Sequence, residues 1–516
     1  MQQNIHFYIV ARRPHLLVAK PLHNSAKAIT LVRLPKNYIM SETTEKRNRL
    51  IINLLIISAF VVILNETVMG VAIPHLMGDL KISALAAQWL TTGFLLTMAV
   101  VIPTTGFLIQ RISTRKLYII AMGLFTAGTA IAAIAPGFEV LLMGRIVQAS
   151  GTAIMLPLLM TTVMSLEAHE TLGRRMGNIS IVIAVAPAIG PTISGLILSQ
   201  LSWRFLFIFV LPIAITMLII GARRMHNVGK TSRAPLDVLS VILSALGFGG
   251  VVFGLSSLGE SAAGGNTAMV FAPIIIGVVA LAVFIWRQII LQRSDKALLN
   301  LNTFRTPTFT ASVIMFVVCM MGMFGAFILL PLFMQNVLDL SVLSSGLLLL
   351  PGGLIMGLLA PFVGRMYDKI GPRPLLLVGT ILTALSLWGL AFSLNEHSTW
   401  AVLLIGHVVF STGLAFIFTP LFTSSLGSLP KHLYSFGSAT VSTMQQVAAA
   451  AGTALFVAIM SSVVIDALGK GASQPAAYAQ GIHVAFLWSA VTASLAILVV
   501  FFVKKAKDTA GAPAGH

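Results

Sequence analysis

Apolar runs of about 20 residues recur along this chain from end to end, and each is long enough to cross a ~30 Å hydrocarbon core as a helix. Inside lipid every backbone N–H and C=O must find a partner within the protein, so only helices and closed barrels span. A barrel would show alternating strands of roughly ten residues, and the sequence has none. Charged residues make up 9% of the chain and apolar residues 57%, a balance no soluble globular domain keeps. The sequence reads as an all-α polytopic membrane protein.

Fourteen spans are expected near 50–73, 85–108, 116–135, 138–164, 176–199, 203–222, 236–257, 268–290, 309–335, 344–366, 374–394, 400–422, 438–464 and 482–503. The net charge of +18 does not point to nucleic acid, because Lys and Arg cluster in alternate connections. One set holds only Lys81, Arg204 and Lys470; the other holds Arg111, Arg115, Lys116, Arg174, Arg175, Arg223, Arg224, Lys230, Arg233, Arg287, Arg293, Lys296, Arg305, Arg365, Lys369, Arg373, Lys431, Lys504, Lys505 and Lys507. By the positive-inside rule both termini are expected in the cytoplasm of a multi-pass protein of the inner (plasma) membrane.

The chain repeats itself. Pro103, Gly106 and Arg115 after span two recur 258 positions on as Pro361, Gly364 and Arg373. Gly144-Arg145 and Gly151 in span four recur 262 positions on as Gly406-His407 and Gly413. Two six-helix units are therefore expected, at 50–222 and 309–503, with a linker of two extra spans over 223–308. Residues 1–49 read as a basic tail outside any core, of which 1–39 precede an alternative start at Met40; residues 504–516 read as a second tail. Parallel halves around a midplane site are the architecture of alternating access.

One carboxylate, Glu66, lies inside the first span, within Leu64-Asn65-Glu66-Thr67-Val68. An intramembrane acid is expensive unless it faces a cavity or a partner. Glu66 lies ~12 Å below the outer end of its span and Arg145 ~10 Å below the outer end of span four, so the two are expected at one level. His407 is the repeat partner of Arg145.

These stretches resemble the major facilitator superfamily, and within it the fourteen-helix drug–proton antiporter branch. Gly106, Arg111 and Arg115, with Gly364, Asp368 and Arg373, resemble its loop signature and imply a conformational latch; Gln110 stands where the first copy usually has an acid. Arg145, Gln148 and Gly151 resemble its Arg-x-x-Gln-x-x-Gly motif. Pro187, Gly190, Pro191 and Gly195 resemble the antiporter motif of span five. Gln88-Trp89 and Trp203-Arg204-Phe205 also match the branch. In span one the branch commonly carries an Asp where this chain has Asn65, with Glu66 one step around the helix.

The resemblance implies a proton-coupled efflux antiporter for amphipathic or cationic drugs, with export of an endogenous metabolite, peptide or lipid precursor as the alternative. Proton coupling is expected at Glu66, Arg145 and His407, and substrate contact at Asn65, Gln88, Trp89, Gln148, Met320, Met323, Phe324 and Gln445. Its partners are then a small-molecule substrate, protons and the lipid bilayer, and it works as a monomer. No enzyme chemistry, cofactor or metal is expected: there is no Walker sequence, and the one cysteine, Cys319, forms neither a disulfide framework nor a cysteine metal site.

The topology is tested by alkaline-phosphatase fusions. Fusions after residue 80, 260 or 475 are expected to be active and those after 115, 230 or 300 silent; the inverse pattern would overturn the orientation.

Overall fold

The computed structural model describes residues 8–13, 16–20, 30–33, 36–167, 169–229, 231, 236–256, 267–294 and 296–504. Lys230, Arg233, Lys505 and Lys507 lie outside the described residues, as does nearly all of the second tail. The chain divides into two units, Met1–Asn53 and Leu54–His516.

The first unit, read from the sequence as a basic tail, contains three short strands. Tyr8–Arg13 (β1), Leu16–Lys20 (β2) and Thr30–Arg33 (β3) form an antiparallel sheet in the order β1-β2-β3. Short β-branched and apolar runs such as Tyr8-Ile-Val support that conformation. The basic composition that suggested a tail obscured them. The first long helix, α1 (Lys36–Leu80), also starts well before residue 50.

The second unit contains the membrane helices. After α1 come α2 (Ala84–Arg111), α3 (Thr114–Ala133), α4 (Phe138–Leu166), α5 (Leu172–Leu198) and α6 (Arg204–Arg224). The inserted pair is α7 (Val238–Ser256) and α8 (Thr267–Leu291). The second set is α9 (Pro307–Asn336), α10 (Val342–Ile370), α11 (Pro372–Ser393), α12 (Trp400–Gly427), α13 (Tyr434–Gly469) and α14 (Gln474–Val500). Fourteen of these described segments are long and apolar enough to span. Ser83, Ser341 and Ser473 cap α2, α10 and α14 by accepting from the N–H three residues on. Gly371, with φ of 79°, makes the turn into α11 that a side chain would strain.

The repeat in sequence is a repeat in packing. Gly128 of α3 lies against Gly144 of α4, where an added methyl would sit 2.6 Å from the Gly144 carbonyl. In the second half Ser386 of α11 instead donates to the Gly406 carbonyl at 2.6 Å. Arg115 starts α3 and donates to the Ala222 carbonyl at the end of α6, at 3.0 and 2.6 Å. Arg373 starts α11 and donates to the Val503 and Phe501 carbonyls past α14, at 3.1 and 2.8 Å. Each cation satisfies carbonyls that a helix end leaves open.

The inserted hairpin reaches both halves. Phe248 and Val252 of α7 and Phe284 of α8 pack with Ala99 and Phe107 of α2 and Ala439 of α13. Its basic end is pinned by Asp237, just before α7. Both oxygens accept from Arg287, at 2.7 and 2.8 Å, and one also accepts from the Ser240 hydroxyl. Gln288 bonds Ser240 at 2.8 Å and holds the Leu298 and Leu299 amides, at 2.7 and 3.2 Å.

The Arg287 guanidinium holds the Asp237 carboxyl down to about 2, from an ordinary value of 3.8. A lowered folded-state value stabilises above the unfolded one and is lost as pH falls through the folded one. Arg287→Gln is expected to lower the melting temperature of the purified protein by about 2–4 °C near neutral pH. That gap should close as pH falls from about 4 toward 2; a gap independent of pH would contradict the assignment.

Candidate functional site

The polar centre of the first half is Arg145, only 1% exposed although it lies in a spanning helix. Its Nη1 donates to Gln148 Oε1 at 2.6 Å and to Asn65 Oδ1 at 3.3 Å, and its Nε points at the Leu90 carbonyl at 3.5 Å. The guanidinium carbon sits 4.0 Å from the centre of the Phe94 ring. Gln148 and Arg145 share a face because they are three apart on one helix. Gln148 Nε2 then donates to Thr129 at 2.8 Å, and Thr129 donates to its own helix at the Phe125 carbonyl. The close approach of α3 to α4 at Gly128 and Gly144 brings that threonine within reach.

All these acceptors are neutral. Among the described residues no carboxylate lies within ion-pairing distance, 4.0 Å, of Arg145. Glu66 is close enough for its charge and that of Arg145 to act on each other, but the two do not touch. The side chain that touches is Asn65, 2% exposed, whereas Glu66 is half-buried. One residue step turns ~100° around the helix, which separates the amide on the cation from the acid beside it.

Helix α5 is pressed against α1 at the same level. Ser194 donates to the Val68 carbonyl at 2.9 Å, and Gly190 lies so close to Thr67 Oγ1 that any side chain there would collide with it. Thr67 itself donates back to the Leu64 carbonyl at 3.0 Å. On its other side α5 packs along α10: Gly346 meets Pro191, Gly353 meets Ala188, and Leu343 meets Gly195. With Pro187 also inside α5, the antiporter-like segment lies between the helix that carries Glu66 and the second half.

The remaining candidates disperse. Trp89 is 37% exposed and its ring meets Phe253 of α7 at 5.6 Å, so it faces the inserted hairpin and not the Arg145 network. The side chain of Gln88 lies outside the described residues. Met320 is buried, and Met323 lines a cavity of about one water's size within the second half, walled by Cys319, Thr383 and Phe410. Phe324 and Gln445 are half-buried on α9 and α13. His407, 2% exposed, faces the Leu349 carbonyl through Nε2 at 3.1 Å. A ring nitrogen facing a carbonyl must carry the proton, and Nδ1 has no partner among the described residues. No cluster of metal-ligating side chains occurs among the described residues.

The latch residues divide in two. Gly364 packs on Gly173, and Asp368 accepts from the Gly173 and Arg174 amides at 2.8 and 3.0 Å, capping α5 across the halves. Gly106 packs on Phe436 and Ala439, and Gln110 donates to Ser435 Oγ at 3.0 Å and the His432 carbonyl at 3.1 Å, again across the halves. Arg115 and Arg373 donate within their own halves, to the carbonyls at the ends of α6 and α14. Arg111 stands over Phe107 of its own helix.

The major facilitator superfamily model matches residues 55–453. The chain belongs to that superfamily. It is 40% identical over 457 residues to the lincomycin resistance protein LmrB of Listeria monocytogenes, covering 88% of this chain and 96% of that one. It is 29% identical over 398 residues to the multidrug resistance protein B homolog of Mycobacterium tuberculosis, covering 77% and 73%. Among solved structures, the human organic anion transporter MFSD10 superposes with a TM-score of 0.63 at 13% identity, over 88% of this chain and 99% of that one. The xylose symporter XylE, as a double tryptophan mutant, gives 0.62 at 14%, over 90% and 97%; both likenesses speak for the fold. The chain is thus a multi-pass membrane transporter of the major facilitator superfamily and not an enzyme, and the fourteen spanning helices among the described residues fit the drug-efflux branch.

Gly190→Ala tests the α1–α5 contact. The added methyl collides with Thr67, so the substitution is expected to destabilise the purified protein by about 1–3 kcal/mol and to depress transport. Gly123→Ala, with nothing within 4 Å, is expected to do neither. Equal effects from the two in thermal unfolding would refute the contact.

Proposed function

We propose that this transporter is a proton-coupled efflux antiporter that exports amphipathic or cationic drugs by alternating access, as a monomer in the inner (plasma) membrane with both termini cytoplasmic. The observation that carries the reading is Glu66: a half-buried carboxylate in a spanning helix, beside a buried cation whose contacts are all neutral. The names of the relatives favour drugs over an endogenous metabolite.

The mechanism follows from charge balance in a poorly solvated space. A carboxylate there is ionised only with a cation at hand and otherwise holds a proton. A cationic substrate entering from the cytoplasm settles beside Glu66, and the proton leaves to the cytoplasm. The loaded protein turns outward and releases substrate, and the acid, again without a contacting cation, takes a proton from outside before turning back. Arg145 positions this exchange: Gln148, Asn65 and Phe94 hold it still while Glu66 changes charge. The basic ends of the two halves are joined through Gln110 and Asp368, the arrangement expected of an outward-facing state.

Everted vesicles with a preset pH gradient test this. Lincomycin or a cationic dye is expected to dissipate the gradient through the unsubstituted chain, and Glu66→Gln to reduce the response to that of empty vesicles. Undiminished substrate-driven proton movement in folded, inserted Glu66→Gln would end the reading.

A further inference from the structure

The loop after α6 is folded back onto the start of α3 and fixed there. Arg115 donates through its side chain to the Ala222 carbonyl, and through its amide to Asn227 Oδ1 at 3.2 Å. Thr114 Oγ1 donates to the Val228 carbonyl at 3.3 Å and accepts from the Val228 amide at 3.2 Å. Met225, within this loop, is 2% exposed. One turn inward the Tyr118 hydroxyl of α3 donates to the Met217 carbonyl of α6 at 2.9 Å, and Gly221 leaves room for its ring. Lys116 and Arg223 directly follow Arg115 and Ala222, the two residues that the bond joins, so three cations stand at one helix junction.

Arg115, Lys116 and Arg223 are all exposed, and none has a carboxylate within 4.0 Å among the described residues. Elsewhere at the basic ends cations are matched: Arg175 pairs with Glu167 and Arg287 with Asp237. The repeat sharpens the contrast. Arg373 donates to the end of α14 as Arg115 does to the end of α6, yet Pro374 stands where the first half has Lys116, and the last turn of α14 contains no cation. Capping the helix end therefore does not call for the extra pair, and like charges fixed side by side repel.

An apolar surface runs inward from the junction. Lys116 lies one turn from Ile120, and Arg223 one turn from Ile219, with Ile215 a turn deeper; all three isoleucines are exposed. Between Lys116 and the middle of α3, Gly123 leaves a notch, since a methyl there would meet nothing within 4 Å. Fixed cations at the membrane boundary above an open apolar surface match a molecule with an anionic head and hydrocarbon tails. We propose that the α3–α6 junction binds an anionic phospholipid, its phosphate against Lys116 and Arg223 and its acyl chains along Ile120, Ile215 and Ile219 and over Gly123. Arg115 stays on the Ala222 carbonyl and adds its charge. A zwitterionic lipid offers no net charge to balance the three cations and is held less well. The lipid bridges two helices of the first half, and neither substrate nor proton enters the contact.

Phosphatidylglycerol added to the purified protein in detergent tests this by native mass spectrometry. It is expected to bind in preference to phosphatidylcholine. Lys116→Gln with Arg223→Gln is expected to weaken that binding about tenfold or more, because two boundary cations are lost. Lys116→Arg with Arg223→Lys keeps both charges and is expected to keep the lipid. Arg293→Gln with Lys296→Gln removes as much exposed charge elsewhere on the basic face and is expected to leave binding unchanged. No preference for phosphatidylglycerol, or equal loss from the two glutamine pairs, would overturn the proposal. Thermal unfolding of the unsubstituted chain needs no variant: phosphatidylglycerol is expected to raise the midpoint, and inorganic phosphate at the same concentration to leave it alone. An equal rise with phosphate would overturn the lipid as occupant.

Discussion

A guanidinium buried at membrane depth without a contacting carboxylate sets the terms for the first half of this protein. Removing an isolated cation from water costs several kcal/mol even after the protein relaxes. Here the return comes from two amide oxygens, a distant backbone carbonyl and an aromatic face. A cation–π contact contributes about 2 kcal/mol or more once desolvated. The contacts need four helices in register, so the glycine packing of α3 on α4 and the position of α1 serve Arg145. The charge itself stays uncancelled at contact distance, and it acts on Glu66 from beyond that distance.

The two halves use one plan with different chemistry. Arg145 in α4 corresponds to His407 in α12; the first is held by side chains, the second rests on a backbone carbonyl. At the basic ends, Asp368 caps α5 with a charge, while Gln110 reaches α13 with a neutral amide. The charged centre thus lies in the first half and the charged cap in the second.

Much of this was legible in the sequence. Spans follow from length and apolarity, the repeat from identities 258 and 262 positions apart, and the Arg145–Gln148 bond from i, i+3 spacing. Facing was harder. Trp89 and Leu90 are neighbours, yet Trp89 lies against α7 while the Leu90 carbonyl faces Arg145; helices apolar on all sides carry no moment to say which side is which. Phe94 and Thr129 were missed because their roles arise only where three helices cross. That Arg115 and Arg373 can hold helix ends follows from their charge, but only the fold brings the α6 and α14 ends beside them.

The central claim is that substrate and proton exchange at Glu66. It is tested most directly by the protons released when purified transporter, in weakly buffered detergent with a pH indicator, binds a cationic substrate. The account predicts release from the unsubstituted chain and none from a Glu66→Gln chain that still binds. Equal release from the two would contradict it.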